Sequence, residues 1–310
     1  MMDTTLPADV VAFGAAARDR FAALGGAGLA LRAETDDSGR DAASAALDEL
    51  GAWDVDPRAG ADELLAAAEL CRAAGAVVLP YPLVEGLLSI DDRRLALVDP
   101  AQPRIDHGDI DERWLAADVD GNAWLVRTRS RRPAKLGPFV TRTELCDRVV
   151  DVSLDDVARH LVLGSWRILG GLDAALALAS AHVQVRKQFG QALAEFQAVR
   201  FAVADAVVAH RGLEELAKYT TWRLDTASPA ARRADALAFR LHATDVAVKV
   251  LRCCHQLFGA IGFCDEHDVS VIDRHLQSSL RLPHSAEALA ERLVPAVSAG
   301  QLESLFTVAS

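Results

Sequence analysis

The feature that most constrains this chain is a run of apolar residues at helical spacing. Leu161, Ser165/Trp166, Leu169, Leu172, Leu176, Ala179 and Val183 recur every three or four residues, which sets one face of a helix against a core. Ser153 followed three residues later by Asp156 has the form of a capping box. A helix over residues 154–187 is therefore expected, roughly 50 Å long at ~1.5 Å per residue. A helix of that length with one core face belongs to a bundle. It closes on Arg186-Lys187-Gln188-Phe189-Gly190, where Gly190 is expected to stop the helix and Phe189 to tuck the following turn against the bundle. A basic pair at a helix C-terminus also complements the helix dipole, so on their own these residues imply no ligand.

Two more long helices come after it. Residues 193–224 carry Phe196, Val199, Val203, Ala206/Val207, His210, Leu213 and Leu216 on one face, with His210 reading as a satisfied core histidine. Residues 229–258 start with Ser228 as N-cap and Pro229 at the first helical position. With shorter helices over 269–280 and 286–293, residues 153–310 read as an up-and-down helical bundle. Leu6, Val10/Val11, Ala17, Phe21 and Leu24 mark an N-terminal helix ended by Gly25-Gly26, followed by helices over 43–50 and over 61–74, the last stopped at Gly75. Residues 1–80 thus form an N-terminal helical domain. Between the two helical parts, residues 81–152 break into short β-prone runs at 95–98, 114–119, 123–128 and 148–152. Asp120-Gly121 is the hairpin signal between two of them, which predicts a small antiparallel domain.

Composition narrows the function. Thirty-three basic against 44 acidic side chains give a net charge of −11, which argues against general nucleic-acid affinity, because phosphate binding wants a basic face. No stretch reaches the ~18 consecutive apolar residues of a membrane span, and the N-terminus lacks a basic region followed by an apolar one, so no membrane partner and a cytoplasmic location are expected. The five cysteines read as free thiols, and Cys253, Cys254, His255 and Cys264 lack metal-ligand spacing, so no metal is expected. Arg127, Arg129 and Arg131 fall on one face of a strand, with Arg132 and Lys135 just beyond. The group could meet the phosphates of a ligand, but such a run more often guards a solvated strand edge.

A second stretch gives the Arg-Lys-Gln-Phe-Gly segment its meaning. Gln256-Leu257-Phe258-Gly259-Ala260-Ile261-Gly262-Phe263 also comes after a long helix, with two glycines that would let backbone pass close to a ligand. Together with Phe196-Gln197, the two stretches resemble the acyl-CoA dehydrogenase family: an Arg-x-Gln-Phe-Gly turn, a downstream Phe-Gln, and a Gln-x-x-Gly-x-x-Gly turn at fitting separation. Glu69-Leu70-Cys71-Arg72 loosely resembles that family's Glu-Leu-Gly-Arg helix end. The resemblance implies a mainly α, acyl-CoA dehydrogenase-like fold with a reduced β-domain. It also implies that Arg186, Gln188, Phe189, Gln197, Gln256, Gly259 and Gly262 reach across a subunit interface to the pyrophosphate and adenosine part of a neighbour's FAD.

The same resemblance shows what is missing. The family's Thr-Glu-Pro and Gly-Ser-Asp loops, which receive the flavin ring and acyl chain, are absent. Its catalytic glutamate sits at one of two places, where this chain has His160 and Pro283. Asp155, Asp156 and Glu287 lie nearby but read as first-turn charges on their helices, and His160 reads as structural. No catalytic residue is therefore assigned to this chain. It resembles the smaller, non-catalytic partner of the two-chain (α2β2) acyl-CoA dehydrogenases of actinobacterial steroid degradation. That resemblance implies a larger paralogue as partner, a steroid-derived acyl-CoA as substrate, and an electron-transfer flavoprotein as redox partner. The competing expectations are a self-sufficient homotetrameric dehydrogenase and a flavin-free helical scaffold.

Overall fold

The computed structural model describes residues 5–110, 113–128 and 134–302. Four helices open the chain: α1 (Ala8–Ala22), α2 (Ala27–Ala33), α3 (Ser38–Glu49) and α4 (Ala61–Ala76), with a single turn α5 (Leu83–Leu87) after them. Helix α2 was not expected. Its alanine-rich seven residues carry too short a pattern to read, and it is held by burying Leu29, Ala30 and Ala33.

The strands are β1 (Arg94–Leu97), β2 (Arg104–Asp106), β3 (Trp114–Ala117), β4 (Ala123–Thr128) and β5 (Val140–Arg148), in the sheet order β1-β3-β4-β5-β2. The β3–β4 hairpin lies where Asp120-Gly121 placed it, Gly121 taking a φ of 87°. Two expectations fail here. The sheet is mixed, because β1 and β3 run parallel, and the intervening residues 98–113 are long enough for the crossover that parallel pairing needs. The last strand ends at Arg148, where the sequence pattern would have begun one.

After the sheet come α6 (Leu154–Val185), the two-residue strands β6 (Lys187–Gln188) and β7 (Gln191–Ala192), then α7 (Gln197–Thr226), α8 (Pro229–Phe258), α9 (Asp268–Arg281) and α10 (Ala286–Ser298). Ser153 caps α6, but its side chain accepts from the Asp155 N–H; Asp156 is drawn instead to Arg58, 2.9 Å away, and to Arg159 at 3.2 Å. Helix α6 is the axis of the molecule. Trp166 is fully buried and donates its indole N–H to Thr221 of α7 at 2.9 Å. By length and composition, Leu154–Val185 and Pro229–Phe263 are apolar enough to cross a membrane. The first has 72% of its most apolar window buried inside the protein, which is the environment of a core helix.

Gly75 does not stop α4. It lies inside the helix, where a Cβ would stand 1.9 Å from the Arg167 carbonyl oxygen; opposite it, a Cβ on Gly170 would stand 1.8 Å from that of Arg72. The two backbones touch, so glycine is required on both helices. Just beside this crossing Arg72 ties three helices together: its guanidinium reaches Asp173 of α6 at 2.6 and 3.0 Å and Glu214 of α7 at 2.8 Å. His210, also buried, meets Asp173 at 2.8 Å.

Candidate functional site

Helix α6 ends before the expected glycine stop. Arg186 is extended, β6 and β7 pair antiparallel, and Phe189 and Gly190 turn the chain with φ of 52° and 83°. Two central residues with positive φ make the tight hairpin turn whose twist matches its strands. The Leu193 N–H, donating to the Arg186 carbonyl at 2.8 Å, closes the hairpin base. Gly190 is thus a hairpin residue and not a helix cap. Phe189 does not tuck against the bundle either: it is 93% exposed at the hairpin tip, with Phe196 edge-on at 6.4 Å.

Beside the hairpin, α8 ends at Phe258 and Gly259 reverses the chain with a φ of 64° into a short turn, Gly259–Phe263. A Cβ at Gly259 would meet nothing within 4 Å, whereas one at Gly262 would stand 2.8 Å from the Phe258 Cβ. Of the two glycines, Gly259 therefore offers open backbone to a ligand; Gly262 is buried and serves packing. The turn is fixed from behind by His255, which lies 3.0 Å from Asp273 of α9 and stacks on Phe263.

Hairpin and turn together form an open cleft of about 670 Å³ whose wall includes His182, Arg186, Gln188, Gln256, Leu257 and Gly259. Four residues singled out in the sequence, Arg186, Gln188, Gln256 and Gly259, converge here from both sides. Phe189, Gln197 and Gly262 do not line the cleft; Gln197 is exposed at the first position of α7, next to Ala198 and Val199, which do. Arg186, Gln188 and Gln256 are all solvent-exposed, so this is one wall of a site open to whatever stands opposite. A guanidinium fork, two side-chain amides and an unobstructed glycine suit an anionic group with paired oxygens.

A second place concerns the missing base. His160 and Pro283 line one small chamber of about 50 Å³, with Glu85, Asp106, Arg167 and Arg240 also in its wall. The His160 Nε2 lies 3.7 Å from Glu85, and burial, with Arg240 adding to it, pushes the imidazole down to about 3, so it stays neutral. Arg240 crosses the chamber and donates to the carbonyls of Ser279 and Leu282. Glu85 is the residue that sequence reasoning missed. Burial raises its carboxyl to about 7, against the pull of Arg167. The visible signal was one acid inside Leu83-Val84-Glu85-Gly86-Leu87-Leu88, an otherwise apolar run.

The remaining candidates sit apart. Asp155 pairs with Arg232 at 2.9 Å, Asp156 is taken up by Arg58 and Arg159, and Glu287 is exposed at the start of α10, its carboxyl lowered by a backbone hydrogen bond and by Ser285. Arg127 is 73% exposed and Lys135 pairs with Asp265 at 2.8 Å, while Arg129, Arg131 and Arg132 lie outside the described residues. Cys253 and Cys254 donate to carbonyls on different helices and Cys264 is exposed; among the described residues no group of three or more His, Cys, Asp or Glu is placed to hold a metal.

Residues 158–282 match the acyl-CoA dehydrogenase C-terminal domain. The chain is 37% identical over 109 residues to the mitochondrial isobutyryl-CoA dehydrogenase of Dictyostelium discoideum, covering 35% of this chain and 26% of that protein. It is 32% identical over 118 residues to the acyl-CoA dehydrogenase FadE28 of Mycobacterium tuberculosis, covering 38% and 34%. The matched region thus spans about a quarter to a third of the length of these relatives. Among solved structures, a steroid ACAD variant, Tcur3481-Tcur3483, superposes with a TM-score of 0.79 at 17% identity, covering 96% of this chain and 99% of that one. The ChsE4-ChsE5 complex of Mycobacterium tuberculosis gives 0.75 at 16%, with the same coverage. The similarity to the acyl-CoA dehydrogenase C-terminal domain is thus carried by residues 158–282, and the chain as a whole has the mainly α acyl-CoA dehydrogenase fold. Members of the acyl-CoA dehydrogenase family are FAD-dependent flavoproteins.

Proposed function

We propose that this chain is one subunit of a FAD-dependent acyl-CoA dehydrogenase and donates half of the FAD site to a larger paralogous chain in an α2β2 assembly. The observation that carries the reading is the open cleft, in which Arg186, Gln188, Gln256 and Gly259 converge on an unwalled side. Arg186 would grip the cofactor's pyrophosphate through paired charge-assisted hydrogen bonds, Gln188 and Gln256 would add amide contacts, and Gly259 would let the ligand approach the backbone. When bound, FAD supplies the acceptor for the hydride that leaves the acyl group. The base for the α-proton would come from the partner, since the two family positions for it are His160 and Pro283 in this chain, lining a chamber of only about 50 Å³. A steroid-derived CoA thioester as substrate is supported by the steroid ACAD among similar structures, and an unlike partner by the ChsE4-ChsE5 complex. An electron-transfer flavoprotein as redox partner, the division at residues 80 and 152 and a cytoplasmic location belong to the same reading.

The test is Arg186→Ala in the complex purified with its paralogue. Flavin per protein should fall while helical content and melting temperature hold. Unchanged flavin would leave Arg186 as nothing more than a residue ending a helix.

Glu85 favours a second reading, in which this chain holds its own active site. A buried carboxyl poised near 7, beside both family base positions, has the character of a general base. Under the first reading Glu85→Gln and His160→Ala each leave turnover per bound FAD within about tenfold of the parent. A loss beyond about a hundredfold in Glu85→Gln, with flavin retained, would replace the first reading by the second.

A further inference from the structure

His182 was not among the residues the motifs pointed to, yet it stands in the wall of the cleft. It lies in the last turn of α6, four residues before Arg186, which follows the end of that helix. The backbone joins them: the Arg186 N–H donates to the His182 carbonyl at 2.9 Å. Its ring is held in place by aromatic contacts. The centroid of Phe258 is 4.5 Å away, and the ring of His267, at the start of α9, is also 4.5 Å from Phe258, so Phe258 links the three rings in a row of contacts.

Both signs of charge surround this row, and Arg186 is the cation at its cleft end. Arg186 faces His182 from the end of α6, and Glu266, His267 and Asp268, at the start of α9, line a shallow pocket together with His182. Burial first, then Arg186 and His267, hold the His182 imidazole below its ordinary range. His267 uses its Nδ1 to accept the Val269 N–H at 3.3 Å, so its own proton sits on Nε2. In the free protein, therefore, a neutral imidazole lies next to a guanidinium in a cleft shaped for an anion.

We propose that His182 is a phosphate-contacting residue of this cleft, and that seating a dinucleotide diphosphate against Arg186 draws a proton onto its ring. The inference rests on the half-site reading and extends it. A diphosphate carries two negative charges, and placed between Arg186 and Gln256 it reverses the sign of the field at His182. The cation is then favoured where it was penalised. Binding takes up a proton in the interval between the lower pKa of the free ring and the higher one of the occupied ring. By linkage, affinity rises as pH falls through that interval and is flat above it.

FAD is a suitable probe because its internal diphosphate and ring nitrogens do not titrate between about pH 6 and about pH 8, so a slope there belongs to the protein. The dissociation constant of FAD from the co-purified complex would be measured by flavin fluorescence across that range for the parent, His182→Asn and His267→Asn. The parent should bind about threefold to tenfold more tightly at the acid end, within the tenfold per pH unit that one proton allows. His182→Asn should bind with no slope. His267→Asn keeps the α9 cap and leaves His182 in place, so its slope should persist. A flat parent, or an equal slope in His182→Asn, overturns the inference while leaving the half-site intact. A complex that holds no FAD at any pH overturns both.

Discussion

Glu85 and His160 face each other across the smallest cavity of interest and bias stability in opposite directions. The carboxyl of Glu85 is raised from 4.5 to about 7 in the folded protein. Between those values the folded chain holds a proton that the unfolded chain has released, so this group makes stability fall as pH rises from about 4.5 to about 7, by about 3 kcal/mol in all. His160 is lowered from 6.5 to about 3, so its contribution is complete above pH 6.5 and is lost as pH falls toward 3. Glu85→Gln removes only the first effect. Denaturant unfolding at several pH values should show the variant gaining on the parent between about pH 4.5 and about pH 7, up to about 3 kcal/mol, with no further gain above. A constant offset between the two across that range would mean that Glu85 is ionised throughout. That a carboxyl would be buried here was visible only as a lone acid in an apolar run; its closeness to His160 was not, because residues 85 and 160 lie on different elements that meet only through the fold.

Helices α4 and α6 show how far local sequence can mislead about an element. Gly75 in an alanine-rich helix reads as a stop, because glycine is the common residue past a helix end. Its reason is tertiary: it lies against the Arg167 carbonyl, as Gly170 lies against that of Arg72. Nothing in either segment alone announces this. Gly170→Ala forces a methyl into backbone and should cost about 1–3 kcal/mol or more, whereas alanine in an exposed helix interior gains up to about 1 kcal/mol over glycine. Thermal unfolding of the two classes of substitution distinguishes them; a stabilised Gly170→Ala would show that the two backbones do not touch at the crossing. The hairpin after α6 is the other case. Its five residues were legible as a functional motif, but not as strands, since a two-residue ladder is too short for alternation to register. Long helices with explicit caps, such as α8 behind Ser228 and Pro229, were legible to within a residue or so.

At the scale of the whole molecule, the chain is built around α6, with its polar cluster at the α4 crossing, a small chamber near its start and a large open cleft at its end. Order along the chain gave the mainly helical architecture, because helix periodicity is local. Which site residues meet was recoverable only through family resemblance, since Arg186 and Gln256 come together from the ends of two separate helices. Phe189, Gln197 and Gly262 neighbour residues of the cleft wall without lining it, and a single chain offers only one wall. The central claim is that the opposite wall belongs to another chain, and flavin content tests it most directly. Bound FAD should be measured by absorbance per protein for this chain purified alone and for the chain co-expressed with a longer paralogue bearing the Gly-Ser-Asp loop and a catalytic glutamate. The account predicts a colourless or aggregated chain alone and a soluble, yellow complex. Stoichiometric FAD in the chain alone would contradict it.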